Sequence, residues 1–243
     1  WQRLDSYYQR ASWAGKVRLG ERWVLDGPVN NPLIHYIHEG LFFAGGELDA
    51  TARPVRTQAE LYHAHEIEGE DTACMRIWLE DGVEMMVYLT LCAPDSTPPV
   101  VYLRCEGGGL EWRQGKVSIN ALGHEAAIEH PGQDISLANF ANFARAVRGE
   151  EPQRNPLSAS RNVILNNNGA YLSSGAIHEI AGEHRKRYEA KDSVVTEIAG
   201  IKELIDEAAQ KQKLFSELGV PWARAGKVVE LDFVEFEPEF LLD

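Results

Sequence analysis

Basic residues are scarce in this chain. Lys and Arg number 24 against 37 Asp and Glu in 243 residues, a formal net charge of −13. That balance excludes nucleic acid and anionic membrane surfaces as partners, because both select clustered cations. No apolar run approaches the ~20 residues of a membrane span, and no signal-peptide pattern is present. Cysteine is nearly missing: Cys74, Cys92 and Cys105 are an odd number, widely spaced within apolar runs. They read as free buried thiols of a reducing compartment, which predicts a cytoplasmic protein without a disulfide framework.

Several chemical signatures are also lacking. Glu106-Gly107-Gly108-Gly109 and Ala44-Gly45-Gly46 are glycine-rich. Neither has Gly-x-Gly-x-x-Gly spacing between a strand and a helix, and no Walker-type Gly-Lys-Ser/Thr occurs, so no nucleotide cradle is recognisable. No Gly-x-Ser-x-Gly elbow appears, and Ser173-Ser174-Gly175 reads as small residues for helix packing. His63-Ala64-His65 places two imidazoles on one strand face, a spacing metals sometimes use, with Glu68 or Asp71 as a conceivable third ligand. Solvent-facing or interface histidines are the simpler reading, and no metal site is predicted.

What is present suits a globular protein: 44% hydrophobic residues and six tryptophans, in a chain long enough to bury a core unaided. Residues 1–9 read as an extended lead-in, followed by a Gly-rich segment from Trp13 to Gly27. A helix is predicted from Asn31, with Asn31 as N-cap and Pro32 at the first helical position. Ile34, Ile37, Leu41 and Ala44 form its apolar stripe, and Gly45-Gly46 ends it.

From about residue 55 to 130 the pattern is short strands. Asp81-Gly82 marks a hairpin between Thr72–Glu80 and Val83–Cys92. Val83, Met85, Val87, Leu89 and Leu91 line one face. Met86, Tyr88 and Cys92 line the other, with Cys74 and Trp78 from the partner strand. Both faces are therefore expected to be covered, one by helices and the other by a second subunit, giving a homo-oligomer through the open sheet face. Val100–Cys105, Leu110–Arg113 and Lys116–Asn120 are further strands.

Three helices should follow. Asp134 caps one carrying Phe140, Phe143 and Val147. A long one runs from Leu157 to Ile180, weakened by Asn166-Asn167-Asn168-Gly169. Thr196 caps the third, with Ile198, Ile201, Ile205, Ala208 and Phe215 inward. Val229, Leu231 and Phe233 alternate as a final strand. Strands then helices, without βαβ alternation, give an α+β fold: a large, mostly antiparallel β-sheet with helices packed on one face, in one domain spanning 1–243.

His35 stands out by position. It falls in the first turn of the predicted helix, at the positive end of the dipole, a place for a neutral imidazole that accepts or shares a proton. Packing alone would also explain it. Trp13 has a face to offer a sugar ring, while Arg10, Lys16 and Asp26 are candidates to bind hydroxyls or a carboxylate.

These residues also carry a resemblance. Tyr7-Tyr8-Gln9-Arg10, Trp13-Ala14-Gly15-Lys16, Trp23-Val24-Leu25-Asp26-Gly27-Pro28 and Asn30-Asn31-Pro32-Leu33-Ile34-His35 resemble the C-terminal domain of the Gfo/Idh/MocA oxidoreductases. Glu60-Leu61-Tyr62, Asp71-Thr72-Ala73-Cys74 and Leu218-Gly219-Val220-Pro221-Trp222 follow in the same order. The resemblance implies a substrate-binding and oligomerisation domain of an NAD(P)-dependent enzyme acting on a sugar, cyclitol or similar polyol. The N-terminal dinucleotide-binding Rossmann domain, with its catalytic Lys, is absent from this chain.

It further implies a catalytic His35 in an Asp-x-x-x-His pattern, with Asn31 standing at the Asp position. Asn cannot favour the charged imidazole as Asp does. NAD or NADP is then expected in the intact protein and not in this chain alone, which should neither bind the dinucleotide tightly nor turn over. The opening at Trp1 rather than Met points to a fragment or processed chain. The alternative is a free-standing, non-catalytic carbohydrate-binding or scaffold module.

Overall fold

A computed structural model describes residues 1–129, 132, 134–190, 193–232, 236, 238 and 241. In chain order the elements are α1 (Asp5–Tyr8), β1 (Arg18–Leu19), β2 (Arg22–Trp23), α2 (Ile34–Gly45), β3 (Pro54–His63), β4 (Thr72–Leu79) and β5 (Glu84–Thr90). Next come β6 (Val100–Cys105), β7 (Gly108–Arg113), β8 (Lys116–Ala121), β9 (His124–Glu129), α3 (Ile135–Val147) and α4 (Leu157–Ser174). The chain closes with β10 (Ile177–Glu179), β11 (Arg185–Ala190), β12 (Ser193–Ile198), α5 (Ile201–Lys211) and β13 (Val229–Glu230). The fold is α+β, as the pattern predicted.

The central sheet orders β10-β3-β4-β5, with β13 also on β3; only the β10–β3 pairing is parallel. Period-two alternation sends Ala59, Leu61, Ala73, Met75, Ile77, Val87 and Leu89 to one face, where Ile37 and Leu41 of α2 and Val163, Ala170 and Tyr171 of α4 pack. Each large apolar side chain so buried contributes roughly 1.5–3 kcal/mol. The other face carries Tyr62, Cys74 and Cys92, with Met86 and Tyr88, under Leu214, Phe215, Trp222 and α5. Glu60 pins this cover. Its buried carboxylate accepts from the Tyr62 hydroxyl (2.8 Å), the Cys74 thiol (3.2 Å), and both the backbone N–H and the hydroxyl of Ser216. At these residues the chain covers its own second face, with no second copy needed.

β6 to β9 form a separate four-stranded meander. Val101, Leu103, Leu110, Trp112, Val117, Ile119 and Ile128 share one side of it by register, and Phe43 of α2 meets Trp112 with ring centroids 6.0 Å apart.

Several sequence expectations are corrected. Residues 5–8 form a helical turn instead of extended chain. The helix expected at Asn31 starts at Ile34, behind a cis Asn31–Pro32 peptide, because the residue before proline avoids helical geometry and the Asn31 amide is bonded elsewhere. Thr196 and Ile198 lie in β12, and Gly200, not Thr196, precedes the third long helix. The long helix ends at Ser174 with Gly175 left-handed, so Ile177–Glu179 becomes strand. Its Asn-Asn-Asn-Gly run stays helical because Asn167 donates to the Val29 carbonyl (2.8 Å). Gly169 makes room there for Leu231, which a Cβ would approach to 2.3 Å.

Asp134 caps α3 as expected, accepting from the Leu137 N–H at 3.0 Å, yet Leu137, Phe140, Phe143 and Val147 are exposed. Cys74 and Cys92 are buried free thiols, but Cys105 is exposed. Phe233 and His130 lie outside the described residues. Among the described residues no helix is long and apolar enough to cross a membrane.

Candidate active site

The Trp13–His38 stretch folds around one buried carboxylate. Asp26 accepts from the Gly15 N–H at 2.7 Å and from the Asn31 side-chain amide at 2.7 Å, and lies 3.6 Å from the Arg10 guanidinium. Arg10 in turn sits 3.6 Å from the Tyr7 ring centroid and 4.8 Å from that of Trp13. Arg10, Trp13, Asp26 and Asn31, four of the sequence candidates, are therefore one hydrogen-bonded and stacked unit. Asn31 is an anchor to Asp26 rather than a helix cap; no side chain caps α2.

Behind Asp26 lies a second carboxyl. Glu70 is fully buried, accepts from the Tyr171 hydroxyl (2.6 Å) and the Val29 N–H (3.3 Å), and is pushed up to about 7 by burial against the pull of those bonds. Gly27 is required beside it, since a Cβ there would lie 2.2 Å from the Glu70 carboxyl carbon.

Lys16 is at a different wall. It lines a cleft of about 530 Å³ with Asp5, Tyr8, Gln9, Gly15, His65 and Glu68, and its ammonium is paired with Glu68. His35 occupies the second position of α2, exposed to solvent. One turn on, Glu39 has its carboxyl pushed up to about 7 by burial, with one oxygen lacking a partner. His35 and Glu39, four apart, share a helix face. Sequence reasoning passed over Glu39, which looked like an ordinary surface acid, and Tyr8, which nothing in its spacing marked.

His63 and His65 do not converge as a ligand pair. The His63 ring nitrogen Nδ1 meets the His65 carbonyl at 2.9 Å, while His65 is buried and its Nδ1 is 2.9 Å from Asp71. His65, Asp71 and Cys92 do bring three donor atoms within 4.8 Å of one another. Asp71 Oδ2, however, already accepts from the Ala64 N–H, the His65 N–H and the His65 ring, so a cation would have to displace a satisfied network. Burial opposes ionisation of Asp71, yet these bonds from His65 and Ala64 hold its carboxyl below the ordinary range.

Among the described residues Gly107–Gly109 belong to the β6–β7 turn and β7, and Gly45-Gly46 close α2, so neither run joins a strand to a helix N-terminus.

The Asp26 contact explains why Asn suits position 31. Asn31→Asp, which would restore the Asp-x-x-x-His pattern, sets two carboxylates at hydrogen-bond distance. It is expected to lower stability by about 2 kcal/mol at pH 8 and by less at pH 4.5, where a proton is shared. Urea denaturation at the two pH values measures this.

At the level of sequence no protein-family model and no curated protein matches the chain. Solved structures do. The WlbA dehydrogenase of Chromobacterium violaceum, described in complex with NADH and UDP-GlcNAcA, is 19% identical with a TM-score of 0.51, covering 72% of this chain and 50% of its own. WlbA of Bordetella pertussis, in the same kind of complex, is 21% identical with a TM-score of 0.50, covering 70% and 50%. UDP-N-acetylglucosamine 3-dehydrogenase GnnA of Acidithiobacillus ferrooxidans is 17% identical with a TM-score of 0.50, covering 57% and 44%. The chain thus spans half or less of these proteins. What the chain shares with these dehydrogenases is the α+β fold.

Proposed function

We propose that this chain is the substrate-side domain of an NAD(P)-dependent oxidoreductase acting on a sugar, cyclitol or similar polyol. The observation that carries the reading is His35, exposed on the first turn of α2 directly after the Asp26–Asn31 anchor, in a fold shared with NADH-binding dehydrogenases. The dinucleotide, held by another domain, supplies the hydride acceptor.

This chain's residues handle the other half of the chemistry. His35 hydrogen-bonds the reacting hydroxyl and shares its proton. Asp26 fixes the Asn31 amide so that its oxygen is left to accept from a ligand hydroxyl. The exposed face of Trp13 offers an apolar wall for a ring. Lys16 and Arg10, both already paired, orient hydroxyls at the rim.

The reading extends to a homo-oligomer through the part of the sheet face beyond Arg56 and Trp78; a light-scattering dilution series showing only monomer would remove that part. Asn31 in place of Asp favours a second reading, a non-catalytic carbohydrate-binding or scaffold module. Two measurements separate them. The full-length protein should reduce NAD or NADP in a polyol-dependent manner, and the 243-residue chain should show no saturable quenching or enhancement of NADH fluorescence. Polyol binding without any NAD(P) reduction by the full-length protein would select the module.

A further inference from the structure

The segment from Leu25 to Asn31, which carries Asp26 and runs into α2, is held from behind by Glu70 and α4. Glu70 has no exposed surface. Its oxygens accept from the Val29 N–H at 3.3 Å and from the Tyr171 hydroxyl of α4 at 2.6 Å. Gly27 lies so close that a Cβ there would come within 2.2 Å of the Glu70 carboxyl carbon. Asn167 of α4 adds two bonds, donating to the Val29 carbonyl at 2.8 Å and to the Asn30 side-chain oxygen at 3.2 Å.

The segment is under strain in this position. Leu25 is buried with φ 51°, a left-handed backbone that leucine adopts only where its surroundings impose it. What opposes release is the bonding to Glu70 and Asn167 behind, together with the Leu25 and Asp26 N–H groups, which donate to the Val17 and Lys16 carbonyls at 3.1 and 2.9 Å. Among these holds, only Glu70 can change its charge.

No basic side chain pairs with Glu70 among the described residues. Three titratable groups surround it. Tyr171 comes from α4, and burial keeps its phenol protonated. Asp71 is next in the chain, and bonds from His65 and Ala64 keep it ionised against the effect of burial. Asp26 is on the segment itself, with Arg10 as its own cation. Burial, and after it the Asp71 charge, push the Glu70 carboxyl up to about 7. Near neutral pH it is therefore poised between a neutral form and a charged one.

We propose that Glu70 is a proton-controlled latch on the Leu25–Asn31 segment: neutral, it holds the segment against α4, and on ionising it releases the segment locally while the central sheet stays folded. Release exposes the carboxylate to water, where it returns to the ordinary glutamate range, so opening is favoured as pH rises through neutrality. The segment carries Asp26 and Asn31 and leads into the helix of His35. The latch thus regulates the site proposed above, and in that respect alone it rests on that reading.

The test is amide hydrogen exchange of the 243-residue chain, without substrate or dinucleotide, between pH 4.5 and pH 8 and with intrinsic rates divided out. In the wild type, protection of the Asp26, Val29, Asn30 and Asn31 N–H groups should fall about hundredfold across that range. It should stay below the protection of Met75 and Ile77 in β4 at every pH. Glu70→Gln, which keeps an acceptor for Tyr171 and cannot ionise, should abolish the fall. Glu39→Gln, at the other carboxyl pushed up by burial, should leave it intact. Flat protection in the wild type overturns the latch, as does an undiminished fall in Glu70→Gln or its loss in Glu39→Gln. Exchange of the segment and β4 at one common free energy also overturns it, because that is global unfolding. The wild-type profile decides alone if Glu70→Gln does not fold. Turnover in the presence of a dinucleotide-binding domain judges the oxidoreductase reading separately from all of these outcomes.

Discussion

Asp71→Ala should cost about 3–5 kcal/mol of folding stability, the largest single effect expected in this molecule. The carboxylate is fully buried and accepts from the Ala64 N–H (2.8 Å), the His65 N–H (2.8 Å), the His65 ring (2.9 Å) and the Thr72 hydroxyl (3.1 Å). Alanine leaves the buried Ala64 and His65 N–H groups without an acceptor and takes the carboxylate from the His65 ring, and each orphaned group carries its own desolvation penalty. Thermal melting should show a fall of roughly 10 °C, given about 2–4 °C per kcal/mol for a chain of this size. A fall of under 2 °C would mean the His65–Asp71 network is not what fixes the His65–Glu68 loop.

Glu70 should make the protein lose stability as pH rises from about 4.5 to about 7. Burial raises its folded-state value from 4.5 to about 7. Through that interval the folded chain keeps a proton that the unfolded chain has released. The contribution is therefore full below 4.5 and lost as pH passes the folded value. The interval corresponds to about 3 kcal/mol.

Asp71 does not blur this window, because its depressed value places its own titration below the ordinary aspartate range. Glu39 shifts in the same direction as Glu70, while burial lowers His38 and His178 and gives them the opposite slope. The difference between wild type and Glu70→Gln isolates Glu70. Gln keeps an acceptor for the Tyr171 hydroxyl and carries no charge, so Glu70→Gln should match wild type at pH 4.5 and exceed it by about 3 kcal/mol at pH 8. Urea denaturation at both values checks this, and parallel pH profiles would show that Glu70 stays ionised in the fold.

The strands were legible because period-two alternation and Asp81-Gly82 are local signals, and the succession of strands then helices carried the fold class. The late start of α2 was not legible. Asn31 and Pro32 look like a cap and a first helical residue until Asp26, five positions back, proves to hold the Asn31 amide. Thr196 misled for a similar reason: a helix-capping residue type sits in a buried strand, where its hydroxyl bonds Asp5, 191 positions away.

At the site, the sequence picked out Arg10, Trp13, Asp26 and Asn31 as candidates, and the fold joins them. It gave no sign of the partnerless Tyr8 hydroxyl, of the half-buried Glu39 or of the buried Glu70, because desolvation depends on what packs over a residue from elsewhere in the chain. His65 was half seen, as one of a histidine pair, when its real partner is Asp71.

His35 is the residue on which the proposed oxidoreductase reading depends, and its most direct test is turnover by the His35→Ala variant together with a dinucleotide-binding domain. Polyol-dependent NAD(P) reduction should fall about hundredfold in kcat with KM changed little, as expected for loss of a group that shares the reacting proton. A kcat equal to wild type, measured on a folded variant, would contradict the central claim.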